Sequence, residues 1–549
     1  MRPQSFAMCM HRQLCVLASL VALIVWAPVS MLFAAGPELQ SLMPAGGQRG
    51  ATIEVVAAGN FPKWPVQAWV DRPGLTLTPG EKGKLTISIA PDAAAGEYWV
   101  RLADSDGSAA PRPFIVGMLA EVSEQEPNDR PAQAQPVSSV VVVNGRFGTG
   151  GDVDVFAVDL EQGQTLVASL SGHESLGSPM DSVLEIVSTR GGVLAFNHDQ
   201  RGLDPRLEFT APSKARYLIR AFAFPSAPNS TIAFAGNDQY VYRLTLTTKS
   251  FVDYPWPLAV TRGRPTSLEL FGWNIPEAGK STTVRAEGLA ADVFGIPGIL
   301  TDSVAVENHA ARCETEPNDL PDGEPIELPV TVSGRVEKPR DVDAFRFDAR
   351  KGESLTFQIE SRALGYPLDA VLAITDAMGK QLARVDDLPG TRDAALTFSP
   401  PADGSYRVVV SDLNQQGSMR HVYRLRAVRT EPDFEVTADA LSYVLSAGKP
   451  VEITLAVARQ NGFEEEIGFS VSGLPAFVTA ESAASTAQGD SAKSVKLKLN
   501  ASAGAYSGPI RIAAQAAGTS KLLHSAAAQL PVGGRRTTDL WLSVVAEKP

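Results

Sequence analysis

Stretches such as TIEVVAAG, YWVRL, LTFQIE, YRVVV and VEITLAVA alternate apolar and other side chains with a period of two, and clusters of Gly, Pro, Asp and Asn separate them. That period gives a strand one apolar face, and no long stretch carries the 3.6-residue period of an amphipathic helix. The 46 glycines and 39 prolines are spread as punctuation rather than gathered into a low-complexity block, so strands are short and turns frequent. At 549 residues the chain is also far too long for one core. The expected fold class is all-β: serial β-sandwich domains, immunoglobulin-like and jelly-roll-like.

Tyrosines support this reading. AGEYWVRL (Tyr98), SKARYLIR (Tyr217), DGSYRVVV (Tyr406) and AGAYSGPIRI (Tyr506) each put one just after a turn and before an alternating strand. A tyrosine whose hydroxyl bonds back to a nearby loop is a recurrent sandwich corner.

The chain also repeats itself. SEQEPNDRP (123–131) returns as CETEPNDLP (313–321), and NGRFGTGGDVDVFAVDLEQGQTL aligns with SGRVEKPRDVDAFRFDARKGESL, placing Asp341 189 residues after Asp152. PMDSVLEIVSTRGGVLAFNHD then matches PLDAVLAITDAMGKQLARVDD, and YVYRLTL matches HVYRLRA, pairing Tyr242 with Tyr423. Two copies of one domain are expected, at 121–250 and 311–429.

The two copies resemble the bacterial pre-peptidase C-terminal (PPC) domain, a β-sandwich related to the collagen-binding modules of clostridial collagenases. The shared pattern is E-x-E-P-N-D, a glycine, D-x-D-x-F, and a terminal Y-x-L. The remaining segments resemble companions of that domain. Residues 36–120 look like an immunoglobulin-like TIG β-sandwich, 251–310 like a small TIG-like β domain, and 430–549 like a C-terminal immunoglobulin-like β-sandwich.

Residues 1–35 read as an export signal: Arg2 and Arg12 precede an apolar run from Leu14 to Trp26, and small residues Ala34, Ala35 and Gly36 follow. Phe33 fits a small-x-small cleavage rule poorly, and the run is just long enough to span a bilayer, which leaves an uncleaved anchor open. The expected location is secreted, periplasmic or cell-envelope. Cys9 and Cys15 lie in this segment, so Cys313 alone remains and forms no internal disulfide. Acidic residues exceed basic ones, 61 to 49, with no concentrated basic stretch, which excludes nucleic-acid binding and favours cations.

The acidic hexamer holds the candidate site. In an extended chain Glu124, Glu126 and Asn128 point to one side, and Pro127 keeps Glu126 out of the helical region. In DVDVFAV, Phe156 and Val158 share a face with Asp152 and Asp154. In the second copy Phe345 and Phe347 share a face with Asp341 and Asp343, while Arg346 and Asp348 point away. The core-facing series thus begins with two carboxylates, which are costly to bury unpaired. A hard cation with six to eight oxygen ligands would resolve this, and calcium suits it better than magnesium, which keeps more water. The resemblance implies calcium ligation by Glu124, Glu126, Asn128, Asp129, Asp152 and Asp154, and by Glu314, Glu316, Asn318, Asp319, Asp341 and Asp343. Turn-and-edge chemistry stays open, since Asn-Asp after Pro is an ordinary turn and acids guard strand edges.

No catalytic set is expected. His173, His198, His309, His421 and His524 are scattered without H-E-x-x-H or paired-ligand spacing. GDSAKS around Ser491 and GTSKL around Ser520 lack the rest of any serine-protease nucleophile motif. Cys313 precedes an acidic cluster that would raise its pKa, which disfavours a nucleophile. The expected function is an exported, non-catalytic binding or scaffold protein of the bacterial envelope. Its expected partner is an extracellular or envelope protein or polysaccharide, with no nucleic acid and no span beyond the N-terminal segment. Alternatives are an accessory or targeting subunit of a secreted peptidase, or a carbohydrate-binding protein that uses Trp64 and Trp69.

Overall fold

The computed structural model describes residues 36–227, 233–285, 293–294, 304–388, 391–502 and 504–545. Residues 1–35, expected to be an export signal, and most of 286–303 lie outside the described residues. The chain is all-β, and among the described residues the α-helical element is the single turn His173–Leu176. No helix among them is long and apolar enough to cross a membrane.

Residues 121–250 form two five-stranded sheets. One runs in the order Glu121–Ser123, Val140–Arg146, Val241–Thr247, Thr165–Ser171, Arg206–Thr210; the other runs Gln135–Pro136, Asp154–Leu160, Ala215–Pro225, Met180–Ser188, Val193–Asn197. Residues 311–429 repeat the same order in both sheets, from Ala310–Cys313 and from Glu324–Pro325. In each copy the first strand of each sheet pairs parallel and the rest antiparallel. A bulge even recurs at the same place, after Ile186 and after Ile374. Alternation supplies the cores: Phe156, Val158, Tyr217 and Ile219 fill one, and Phe345, Phe347, Tyr406 and Val408 the other.

Three of the four tyrosine corners close over four residues. Tyr98 donates to Ala94 O at 3.0 Å, Tyr217 to Ser213 O at 2.8 Å and Tyr406 to Ala402 O at 2.7 Å. Tyr506 instead donates to Gly473 O at 2.9 Å, at the end of the neighbouring strand Ile467–Ser472 of the same sheet.

Although the sandwiches follow one another in sequence, the last packs against the first. The Arg101 guanidinium, 1% exposed, donates to the carbonyls of Leu441 and Asp539, each at 3.2 Å, and sits 5.5 Å from the Trp541 ring centroid. Burial pushes its pKa down to about 10, with Asp539 opposing. Trp69, named in the alternative carbohydrate-binding reading, packs edge-to-face on Trp541 at 5.8 Å. Trp64 donates to Gly80 O at 2.7 Å and packs against the core of the N-terminal sandwich, around Phe61 and Leu85. Both rings are half-buried.

A second set of contacts joins the two copies through the segment between them. Asp253, 4% exposed, receives Arg206 from the first copy and Arg420 from the second. Burial pushes its carboxyl up, but the two guanidinia outweigh this and hold it below the usual range. Beside it Tyr254 stacks on Phe271 at 4.9 Å and meets Tyr366 edge-on at 5.7 Å.

Candidate metal centre

Each copy gathers its acids at one point, and the backbone explains how. The strand Glu121–Ser123 runs parallel to Val140–Arg146, and Glu124 N–H makes one further bond to Asn144 O at 2.9 Å. There the chain leaves the sheet, because Pro127 has no N–H to continue a ladder. The hexamer therefore lies beyond the strand, outside the sheet. Asn128 N–H folds back onto Glu126 Oε2 at 2.9 Å, and Asn128 O accepts from Val155 N at 3.1 Å, which ties the hexamer to the strand Asp154–Leu160. The second copy repeats both bonds, Asn318 N to Glu316 Oε2 at 3.0 Å and Ala344 N to Asn318 O at 3.1 Å.

Glu126, Asp152 and Asp154 consequently each bring a carboxylate oxygen within 4.8 Å of the other two, and Glu314, Glu316 and Asp343 do the same. Asp154 and Asp343 are fully buried, and in each one Oδ1 has no partner. The side chains of Asn128 and Asn318 are buried as well and their Oδ1 atoms are also unpartnered, while Asn318 Nδ2 donates to Glu314 Oε2 at 3.3 Å. Asp152 accepts from Gly148 N, and Asp341 from Glu337 N at 2.7 Å. Glu124 accepts from Arg146 N at 2.9 Å, as Glu314 does from Arg335 N at 2.6 Å. Glu124, Asp129, Asp319 and Asp341 stand outside the two three-carboxylate groups, and of these Asp129 and Asp319 are exposed.

One participant escaped the sequence reading. Tyr242, fully buried, donates to Asp154 Oδ2 at 2.6 Å, and Tyr423 donates to Asp343 Oδ2 at 2.6 Å. The VYRL motif shared by both copies was the available signal. Each phenol orients one carboxylate oxygen and leaves the other free.

The charges are poorly accommodated without a counterion. Burial, then Glu126 and Asp152, push Glu124 up to about 7 against bonds from Arg146 N–H and Tyr242. Burial and Asp343 push Glu314 up to about 9, and burial with Asp341 and Glu316 pushes Asp343 to about 8. Asp154 is raised well above its ordinary value by burial and Glu124. A carboxyl whose pKa is higher when folded binds its proton more tightly in the native state, so stability falls as pH rises between the unfolded and folded values. For Glu314 that window runs from 4.5 to about 9. In chelator the protein should therefore melt lower at pH 9 than at pH 6, and Asp343→Asn should shrink that difference. A melting temperature flat across the window would show that these carboxylates do not titrate as buried groups. The candidate ligand atoms are all oxygen, two of them buried and unpartnered in each copy, and they fit a hard cation rather than a soft one.

Cys313 ends the strand Ala310–Cys313, and burial followed by Glu314 pushes its thiol up to about 11. At neutral pH it is a thiol, not a nucleophilic thiolate.

No family model matches the chain. Over 103 residues, 18% of its length, it is 40% identical to a probable subtilase-type serine protease of Deinococcus radiodurans, and it spans 14% of that protease. Solved structures it is similar to include the pre-peptidase C-terminal domain of a collagenase from Bacillus anthracis, at 12% identity and TM-score 0.17, covering 23% of this chain and 100% of that one. Another is Escherichia coli alpha-2-macroglobulin, at 10% identity and TM-score 0.16, covering 93% of this chain and 53% of that one.

Proposed function

We propose that the chain is an exported, non-catalytic binding or scaffold protein of the bacterial exterior, with one calcium ion at the acidic centre of each copy. The observation that carries this is the duplicated set of unpartnered, buried carboxylate and amide oxygens of Asp154, Asn128, Asp343 and Asn318. Calcium takes six to eight oxygens in adaptable geometry, which suits a site assembled from a loop and a strand. Glu124, Glu126, Asn128, Asp152 and Asp154 would hold the ion in the first copy, and Glu314, Glu316, Asn318, Asp341 and Asp343 in the second. Asp129 and Asp319 would act through charge. Bound calcium would tie the hexamer to the strand behind it and stiffen the start of each copy. Isothermal titration should find two calcium ions per chain, and Asp154→Asn should reduce that to one. A stoichiometry of zero would refute the metal reading.

The non-catalytic part rests on what the candidate serines do. Ser520 Oγ donates to Glu465 at 2.8 Å, and Ser491 Oγ accepts from Thr486 N at 3.0 Å, so both brace loops. Purified protein should leave casein and gelatin intact. Proteolysis that Ser491→Ala or Ser520→Ala abolishes would overturn this. The 103-residue similarity to a subtilase-type protease favours one second reading, an accessory or targeting chain for a separate peptidase.

A further inference from the structure

A cleft of about 490 Å³ opens where the two copies and the C-terminal sandwich meet. Four arginines line it: Arg201 from the first copy, Arg362 and Arg392 from the second, and Arg535 from the C-terminal sandwich. Only Glu174 and Asp199 oppose them there, in a chain whose net charge is −12. That local reversal of sign is what needs explaining.

The walls are built rather than accidental. In the first copy the buried Asp204 carboxylate accepts three backbone N–H groups, from Gly172 at 3.1 Å, His173 at 2.7 Å and Glu174 at 3.2 Å. In the second copy Asp393, 189 residues on, accepts from Ser361 at 3.0 Å, Arg362 at 2.7 Å and Ala363 at 2.8 Å. The same clamped turn from each copy thus contributes to the cleft. Yet the positions equivalent to Arg362 and Arg392 in the first copy are His173 and Leu203, so the added charge is not a requirement of the fold. Arg201 crosses between copies and lies where a Cβ on Gly365, whose φ is +84, would come within 2.6 Å of its Nε.

The four guanidinia are not equally occupied. Arg535 pairs with Glu97 and donates to Glu174 O at 3.3 Å. Glu174 accepts from Leu203 N at 3.3 Å, and Asp199 is engaged by His198 at 2.7 Å. Among the described residues the Arg362 and Arg392 guanidinia have no ion pair, and Arg362 Nε is buried with no hydrogen-bond partner. A buried donor left unmade is costly, and a guanidinium fork matches carboxylate, phosphate and sulfate oxygens in pairs.

We propose that this cleft binds an oxyanion, with Arg362 and Arg392 as the principal donors and Arg201 and Arg535 as the surrounding positive field. Its volume falls within the range of small-molecule sites, so the anion can be free or carried on a sugar-sized group. The site is independent of the acidic centres.

The test is calorimetric titration of the full chain at low salt with inorganic phosphate, inorganic sulfate and polygalacturonate, using dextran as the neutral control, in calcium and again in chelator. Binding of at least one anion is expected, weakened at least tenfold by Arg362→Gln with Arg392→Gln and weakened further by added salt. Phosphate or sulfate binding alone would identify a free anion, and polygalacturonate binding alone a charged polymer. Arg392 is exposed, so Arg392→Glu alone provides a variant whose folding is not at risk, and it too should weaken binding. No binding of any anion, or binding that both variants retain, would overturn the proposal.

Discussion

Millimolar calcium added to chelated protein should raise the melting temperature, by more than the same concentration of magnesium does. A ligand that binds only the folded state at a hundredfold excess over Kd contributes about 2.7 kcal/mol per site. For domains the size of these copies that corresponds to an increase on the order of 5–10 °C. Asp154→Asn combined with Asp343→Asn should remove the increment. The same double variant should melt no lower than wild type in chelator, because amides at those positions still accept from Tyr242 and Tyr423 and relieve repulsion from Glu124 and Glu314. That reversal of sign separates a metal site from an ordinary turn. An acid doing only structural hydrogen bonding would destabilise in both conditions when replaced. If calcium leaves the melting temperature of intact protein unchanged, the hexamers are turns and the metal reading is wrong.

Asp253→Ala should destabilise the chain by about 3–5 kcal/mol, the usual cost of removing one partner from a buried ion pair. The reason is not the lost attraction alone. The substitution takes the Asp253 carboxylate from Arg206, 5% exposed and buried beside Ser169 and Phe251, and it frees Arg420 from its only ion-pair partner among the described residues. Because Asp253 joins both copies, the loss should appear as a split unfolding transition as well as a lower denaturant midpoint. Asp159→Ala is the control. Its partner Arg216 is exposed and the pair lies on the surface of one sheet, so the midpoint should scarcely move. An Asp253→Ala protein that unfolds in one transition at the wild-type midpoint would show that the copies are held together elsewhere.

Much of this molecule is legible locally. Phe156 and Phe345 lie in cores because alternation put them there, and the acids ahead of them, Asp154 and Asp343, are buried for the same reason. The tyrosine corners at Tyr98, Tyr217 and Tyr406 follow from a turn of fixed length, whereas Tyr506 finds its acceptor 33 residues away, where no local pattern points. The hexamer shows the limit. Its acids read as cation ligands placed on one side of an extended chain, but Pro127 turns the chain off the sheet, and Asn128 ties the hexamer to the strand that carries Asp154.

The sequence by itself therefore determined the all-β class, the duplication and the acids at the start of each copy, because each depends on periods and spacings that act between near neighbours. Only the tertiary structure decided that Tyr242 and Tyr423 orient those acids, that Asp253 holds two arginines 214 positions apart, and that Arg101 docks the last sandwich on the first. Those contacts join residues far apart in the chain. Single, non-repeating pairs leave no period to read, and their partners are chosen by how whole sandwiches pack.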